Sequence, residues 1–438
     1  MIPCDPAFPE GVAAHAGEGD PLVRRYRAFF ALLDWGQVPE RDPARPWPGP
    51  APHPAAAYVK ALLVKVCEGL DYMTELRAFL VEHPPLALEL GFRPVPDPAQ
   101  PGGVDVARTV PCARYLRRQQ ACLEPTTLAA LLRATVHALQ AAVPGLGETV
   151  AVDVKHLFAW VQANNPKAYV RERYDPQRQP RGDPACRLGA KTSHNQVRAD
   201  GSTAARTTWV WGYGSGVVAA IAPAAGDVVL AEWTQPFNRD DGSYFHPLHR
   251  QVTATLGRPP TNIAADAAFD AWHIYETCVP TGGIPAIPLN ARGHPAPRLG
   301  PNGHHLCPRD LEMVPTYAYQ HTDGHRAQTL ACPLLLPAPT GGACDHAQFA
   351  KGVGCVKHIN IEAGGRLRVS LDRASAAYKA VYRQRTAAER IYSQATALGI
   401  ERPKARRQRA VANRNTLIYI AINVRALARV RRHPPRLC

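Results

Sequence analysis

Residues 148–161 read ETVAVDVKHLFAWV, and how this stretch folds decides the architecture of the chain. Val150, Val152 and Val154 alternate with Thr149, Ala151, Asp153 and Lys155, the period-two pattern of a strand with two distinct faces. A carboxylate inside so apolar a run is unfavourable unless it is paired or faces a cation. Asp153 is therefore the first candidate functional residue.

Upstream of this strand the pattern is helical. Apolar residues recur at helical spacing over 21–35, 55–70, 73–81, 113–119 and 126–143. Asp20 before Pro21 has the signature of an N-cap with proline at the first helical position. A proline-dense connector, GQVPERDPARPWPGPAPHP, separates the first two helices and has no composition for a core. Residues 1–145 thus read as an all-α domain. Downstream, TTWVWGYGSGVVAAIAP and DVVLAEWTQP predict further strands with a hairpin-like glycine turn, and 244–255 predicts a helix. The segment TNIAADAAFDAWHIYETC reads as a short strand ending at Asp266 and then a helix, and GGIPAIPLNAR as another strand. Strands alternating with helices over 146–297 give an α/β core. Residues 298–365 are rich in Gly, Pro, His and Cys and read as an insertion. Residues 366–438 then return to the core through GRLRVSLDR as a strand, a helix over 374–397 capped by Asp372, and a last helix over 410–430.

The chain has 438 residues, a formal charge of +15 and a pI near 9.5, which points to a polyanionic partner. Residues 401–438 hold eleven Lys/Arg against Glu401 alone. The opening MIPCDPAFPEGVAAH lacks the pattern of a secretory signal. No run reaches the 18 to 20 or so apolar residues of a membrane span; TLIYIAINVRALA is interrupted by Asn423 and Arg425. A soluble, cytoplasmic, nucleoid-associated protein is expected. The eleven cysteines are scattered, unlike a disulfide scaffold. Cys344, His346, Cys355 and His358, with Cys307 and Cys332 in reserve, are candidate zinc ligands. Their spacing matches no strong zinc motif, so structural zinc is the lesser reading and buried free thiols the greater.

In the helix over 374–397, ASAAYKAVYRQRTAAERIYSQATA, residues Tyr378, Tyr382, Arg385 and Glu389 fall on one stripe. A solvated ion-paired face is the bland account of that stripe. The sharper account joins Glu389 to Asp153 and Asp266 as an all-oxygen cage for Mg²⁺ or Mn²⁺, with Asp270 a weaker rival to Asp266. Trp272 and His273 lie beside that segment, where an aromatic ring could stack on an unpaired base, although a core tryptophan is the commoner outcome.

Tyr382-x-x-Arg385-x-x-x-Glu389 resembles the tyrosine–arginine–glutamate signature of bacterial insertion-sequence DDE transposases. TVAVDVKH and TNIAADAAFDAW are similar to the two aspartate segments of that family, and YVKALLVKVCEGLDYMTELRAFL to its N-terminal domain. The resemblance implies a ribonuclease H-like mixed sheet flanked by helices, with the helical domain in front and the Cys/His-rich insertion before the last catalytic helix. It implies that Asp153, Asp266 and Glu389 bind Mg²⁺ and that the enzyme cuts and joins element ends. Tyr382 and Arg385 would then hold DNA phosphates, with Lys404, Arg406, Arg407, the basic stretch 167–191 and the C-terminal Arg-rich helix adding backbone contacts on double-stranded DNA. A homodimer assembled on DNA is the expected form. Two departures stand out. Thr396 occupies the place of a basic residue seven positions after the glutamate, for which Arg390, Arg402 or Lys404 are substitutes, and Val154–Lys155 replaces a Gly-Thr pair. A catalytically inactive, transposase-derived DNA-binding protein is the alternative. A zinc hydrolase built on the Cys/His region is disfavoured by the lack of a His-Glu-x-x-His pair.

Overall fold

The computed structural model describes residues 19–42, 52–197, 203–223, 225–290 and 297–432. The opening MIPCDPAFPEGVAAH, the middle of the proline-dense connector and the C-terminal residues around Arg436 lie outside these.

Among the described residues, seven α-helices precede the sheet: α1 (Pro21–Phe30), α2 (Ala55–Cys67), α3 (Met73–Glu82), α4 (Pro84–Glu89), α5 (Val106–Thr109), α6 (Ala113–Cys122) and α7 (Pro125–Ala142). Asp20 caps α1 as expected, its Oδ1 accepting from the Leu22 N–H at 2.7 Å, which satisfies an otherwise orphan donor of the first turn.

The main sheet contains β1 (Thr149–Phe158), β2 (Arg187–Val197), β3 (Thr203–Ala222), β4 (Gly226–Pro236), β5 (Asn262–Ala264) and β6 (Pro285–Ala286). Along its central path the order is β4-β3-β1-β5-β6, and β2 pairs with the first half of β3. Strands β1, β3 and β4 are antiparallel neighbours, with Asp153 opposite Val217. Strands β5 and β6 run parallel to β1. The sheet is mixed and flanked by helices.

The alternation in β1 has a clear structural cause. Val150, Val152 and Val154 pack with Leu248 and Val252 of α8 (Phe245–Leu256) and with Leu139 of α7. Ala151 and Leu157 pack on the other side, in the cluster that takes in Val59 of α2 and Leu116 of α6. Both faces of the sheet are thus covered, and Asp153 belongs to the second.

The glycines of GYGSG do not form a turn. Gly212, Gly214 and Gly216 lie within β3, and the hairpin turn falls later, at Gly226 with φ 86°. A Cβ on Gly214 would come within 2.3 Å of the Tyr244 hydroxyl, and one on Gly216 within 2.7 Å of the same ring. Close approach of Tyr244, not backbone conformation, requires glycine there.

After β5 comes α9 (Trp272–Glu276). The insertion holds a three-stranded antiparallel sheet of β7 (Val314–Gln320), β8 (Arg326–Ala331) and β9 (Lys357–Asn360) around a small core of Cys307, Met313, Leu330, Cys332 and Cys355. The chain then enters α10 (Ala363–Ser370), α11 (Ala376–Tyr382), a 3₁₀ turn at Arg383–Arg385, α12 (Thr386–Ala397) and α13 (Gln408–Arg432).

Several sequence expectations are corrected here. GRLRVSLDR is helical in α10 instead of a strand, because Leu367 and Leu371, one turn apart, both pack on the core side. The helix over 374–397 is divided by the turn at Arg383–Arg385. Its N-cap is Ser375, whose Oγ accepts from Tyr378 N at 3.2 Å, and Asp372 instead accepts from Ala374 N. The stretch 167–191 is not all loop, since β2 begins at Arg187.

The largest correction concerns α13. Expected to be a basic surface helix, it buries most of its length between Ala410 and Leu427, while Arg409, Arg425, Arg431 and Arg432 stay exposed. Its buried polar residues serve the interior. Asn423 accepts from Val229 N and donates to Val229 O, both at 2.8 Å, and so satisfies backbone groups of β4. The buried Arg414 guanidinium donates to Gly399 O at 2.7 Å, and Arg409 pairs with Glu124 at 2.7 Å. A buried polar side chain is tolerated when every such bond is made.

Candidate functional site

Strand β1 presents Asp153 on the face covered by α12, where Tyr392 Oη lies 2.7 Å from the carbonyl oxygens of both Asp153 and Ser215. This contact fixes α12 across β1 and β3. One side-chain oxygen of Asp153 accepts from Val154 N at 2.8 Å. Burial pushes its carboxyl up to about 6; the neighbouring charges of Asp266 and Asp241 add to the rise, while the Val154 N–H and the Arg385 charge oppose it.

Asp266 lies two residues beyond the end of β5, where it caps a short 3₁₀ turn and accepts from Ala268 N at 2.9 Å. Its carboxyl is also raised, first by burial and then by Asp241, against the Ala268 N–H and Arg385. Adjacent parallel strands, β1 and β5, therefore carry the two aspartates into one electrostatic environment.

Arg385 reaches the same environment from the turn that precedes α12. Its Nη2 lies 2.6 Å from Glu389 Oε1, and its guanidinium is raised by the charges of Glu389, Tyr382 and Asp153. The Tyr382 ring lies 5.9 Å from its Cζ and stacks on Tyr378 at 5.9 Å. Glu389 is half exposed and directed to Arg385, so Arg385 links it electrostatically to Asp153.

Asp241 is a third aspartate that sequence reasoning missed. It sits in the 3₁₀ turn Asp241–Tyr244, and its Oδ1 lies 3.5 Å from His156 Nε2 on β1. The Nδ1 of His156 is buried without a hydrogen bond. The only sequence signal was an Asp-Asp pair in a polar loop, which carries no period.

Asp270 proves to be a structural residue. It lies outside α9 and its carboxylate is fully enclosed, held by Arg368 at 2.6 and 2.7 Å, by Tyr275 Oη at 2.9 Å and by Asn290 N at 2.7 Å. Burial pushes its carboxyl up, but the hydrogen bonds and charge of Arg368, the Asn290 N–H and the Tyr275 hydroxyl together hold it below the ordinary range. The pairing is thus an interior one, with the Asp270 side chain closed off from solvent. Trp272 is half-buried, its ring centroid 5.8 Å from that of His325, instead of enclosed in the core.

Of the proposed substitutes for the basic residue at Thr396, Arg390 is engaged, forming a bidentate pair with Asp227 at 2.6 and 2.7 Å. Arg402 lies over Phe158 at 4.5 Å, Arg406 over Trp160 at 4.7 Å and Lys404 over Tyr72 at 5.7 Å. Arg402, Lys404 and Arg406 line a cleft of about 400 Å³ beyond the end of β1. Arg407 is exposed beside it at φ 71°. A second cleft, about 1110 Å³, separates α10 from the insertion and carries Arg298, Lys357, Arg366 and Arg368.

The expected zinc ligands do not converge. Cys307, Cys332 and Cys355 are buried together, and the Cys355 thiol is pushed up to about 12 by burial and by Cys332. His358 instead meets Thr329 Oγ1 at 3.2 Å, and His346 accepts from Gln348 N. Among the described residues, the group with three donor atoms all within 4.8 Å of one another is His321, Asp323 and His325. Asp153, Asp266 and Glu389 stand further apart than that.

The sequence matches no known protein-family profile and none of the curated proteins compared with it. No described helix is long and apolar enough to cross a membrane.

Proposed function

We propose that the chain is a DDE-type transposase that cleaves and joins DNA strands at element ends with the help of a divalent metal ion. The observation that carries this reading is the shared setting of Asp153 and Asp266: one carboxylate on β1 and one just past the end of the adjacent parallel strand β5, each raised by burial and both near the Arg385 charge. Clustered, desolvated carboxylates with so little cationic compensation fit a hard divalent ion, which takes oxygen donors. Three antiparallel strands followed by two parallel ones support a ribonuclease H-like core.

Asp153, Asp266 and Glu389 would hold Mg²⁺ or Mn²⁺, and Asp241 is close enough electrostatically to assist. The ion, when bound, would activate the attacking oxygen and stabilise the leaving one. The protein's own groups position the DNA. Arg385 and Tyr382 border the carboxylates and present a cation and a phenol to a scissile phosphate. The two basic clefts would carry the flanking backbone, with a salt-dependent affinity. Homodimerisation on double-stranded DNA accords with this role.

Glu389→Gln tests the reading on duplexes carrying the sequence that flanks the gene. The variant should bind that DNA as the parent does and lose strand cleavage in Mg²⁺; undiminished cleavage would refute the assignment of Glu389. Binding without cleavage by the parent protein, in Mg²⁺ and in Mn²⁺, would instead favour a DNA-binding descendant that has lost its chemistry.

A further inference from the structure

The turn between β7 and β8 reads His321-Thr-Asp323-Gly-His325. The His321 N–H donates to His325 O at 2.8 Å, and Gly324, at φ 93°, supplies the left-handed residue that closes the turn. This folding stacks the two imidazoles, with centroids 4.6 Å apart and planes 17° from parallel. Asp323 Oδ1 lies 3.0 Å from His321 Nδ1 and also meets His325 Nδ1. The three side chains therefore bring two nitrogens and one carboxylate oxygen to a common point.

The burial of the three residues is uneven. His325 is 12 % exposed at its side chain and Asp323 is 52 % exposed. The Nδ1 of His325 is buried without a well-directed hydrogen bond. Its contact is the Asp323 carboxylate, a pairing that a divalent cation held between the three side chains would replace.

We propose that His321, Asp323 and His325 bind one divalent cation of the zinc class, at a site separate from the Asp153–Asp266 carboxylates. Two imidazoles and one carboxylate suit Zn²⁺ or Co²⁺, whereas Mg²⁺ favours oxygen donors alone. Three protein ligands leave a fourth position for water on the exposed side. The site has a structural consequence as well. The His325 ring is 5.8 Å from Trp272 of α9, and the Asp323 charge acts on His273, whose Nδ1 lies 2.7 Å from His246 Nε2 of α8. A bound ion would stiffen the tip of the insertion where it meets the helix that follows Asp266.

The test uses the full chain, stripped with chelator and reloaded with Zn²⁺ or Co²⁺. One equivalent of Zn²⁺ should bind, and His321→Ala and His325→Ala should each weaken binding at least tenfold. Cys332→Ser and Cys355→Ser should bind as the parent does. The Co²⁺ form should lack a thiolate-to-cobalt charge-transfer band. Because His321 is 42 % exposed, His321→Ala should keep its circular dichroism and carries the test if His325→Ala misfolds. No uptake by the parent, uptake unchanged in His321→Ala, or a thiolate band lost in Cys332→Ser would each overturn the site. None of these readouts depends on DNA cleavage, so the proposal stands or falls apart from the transposase reading.

Discussion

Asp153 and Asp270 are both withdrawn from solvent, yet the protein treats them in opposite ways. Asp270 receives two bonds from Arg368, one from Tyr275 and one from a backbone amide, and its carboxyl is lowered. Asp153 receives one backbone bond, faces other acids and is raised to about 6. The first carboxylate is satisfied by the fold. The second is left without a compensating partner of that kind, the condition in which the proposed ligand role would be met. The difference separates the two carboxylates more sharply than sequence position could.

The strongest test of this contrast is Asp153→Asn. Strand cleavage should fall by roughly 10³-fold or more, and Mg²⁺ should raise the midpoint of thermal unfolding of the parent but not of the variant. A variant that keeps both responses would break the comparison. Asp270→Ala should act on stability instead, lowering the unfolding free energy by about 1–3 kcal/mol in denaturant titrations because Arg368, Tyr275 and the Asn290 N–H lose their shared acceptor.

The two residues should also differ in the sign of their pH dependence. The stability that Asp270 contributes is present above the ordinary carboxylate range and is lost as pH falls through its lowered pKa. For Asp153 the favoured folded form is protonated, so its contribution is full below about 3.8 and is lost as pH rises through about 6. In chelator, Asp153→Asn should flatten the decline in stability between about pH 4 and pH 6, whereas Asp270→Asn should flatten the decline at low pH.

Glu232 on β4 sharpens the point, since burial raises it to about 7 despite bonds from Thr416 and Thr234. Glu232→Gln should therefore stabilise the protein by about 2 kcal/mol at pH 8, an effect that vanishes near pH 4. The smallest effect is expected from Arg406→Ala, which should reduce the salt slope of DNA binding by about one unit and leave metal-dependent stability untouched.

Much of this molecule is legible in its residues. The alternation of Val150, Val152 and Val154 determines β1, because a sheet with both faces covered imposes period two on both sides. The Asp20–Pro21 cap determines the start of α1, since its bonds are local. GRLRVSLDR misled for the converse reason: its Leu367 and Val369 also suit a strand, and only the packing of Leu367 with Leu371 selects the helix. Asn413 and Asn423 look like members of a solvated surface until partners as distant as Gln120 and Val229 are in place. The Asp240–Asp241 pair carries no period, and Asp241 is brought toward Asp153 and Asp266 only where its turn meets His156.

The sequence alone therefore determined the elements whose causes lie within a few residues: periodic strands and helices, their caps, and the stripe of Tyr382, Arg385 and Glu389. The tertiary structure decided which buried charges find partners. It satisfied Asp270 through Arg368, placed Asp153 near Asp266 and Asp241, and drew α13 into the core. The reason is physical: desolvation and charge pairing depend on distances through space between groups far apart in the chain, and no local pattern encodes them.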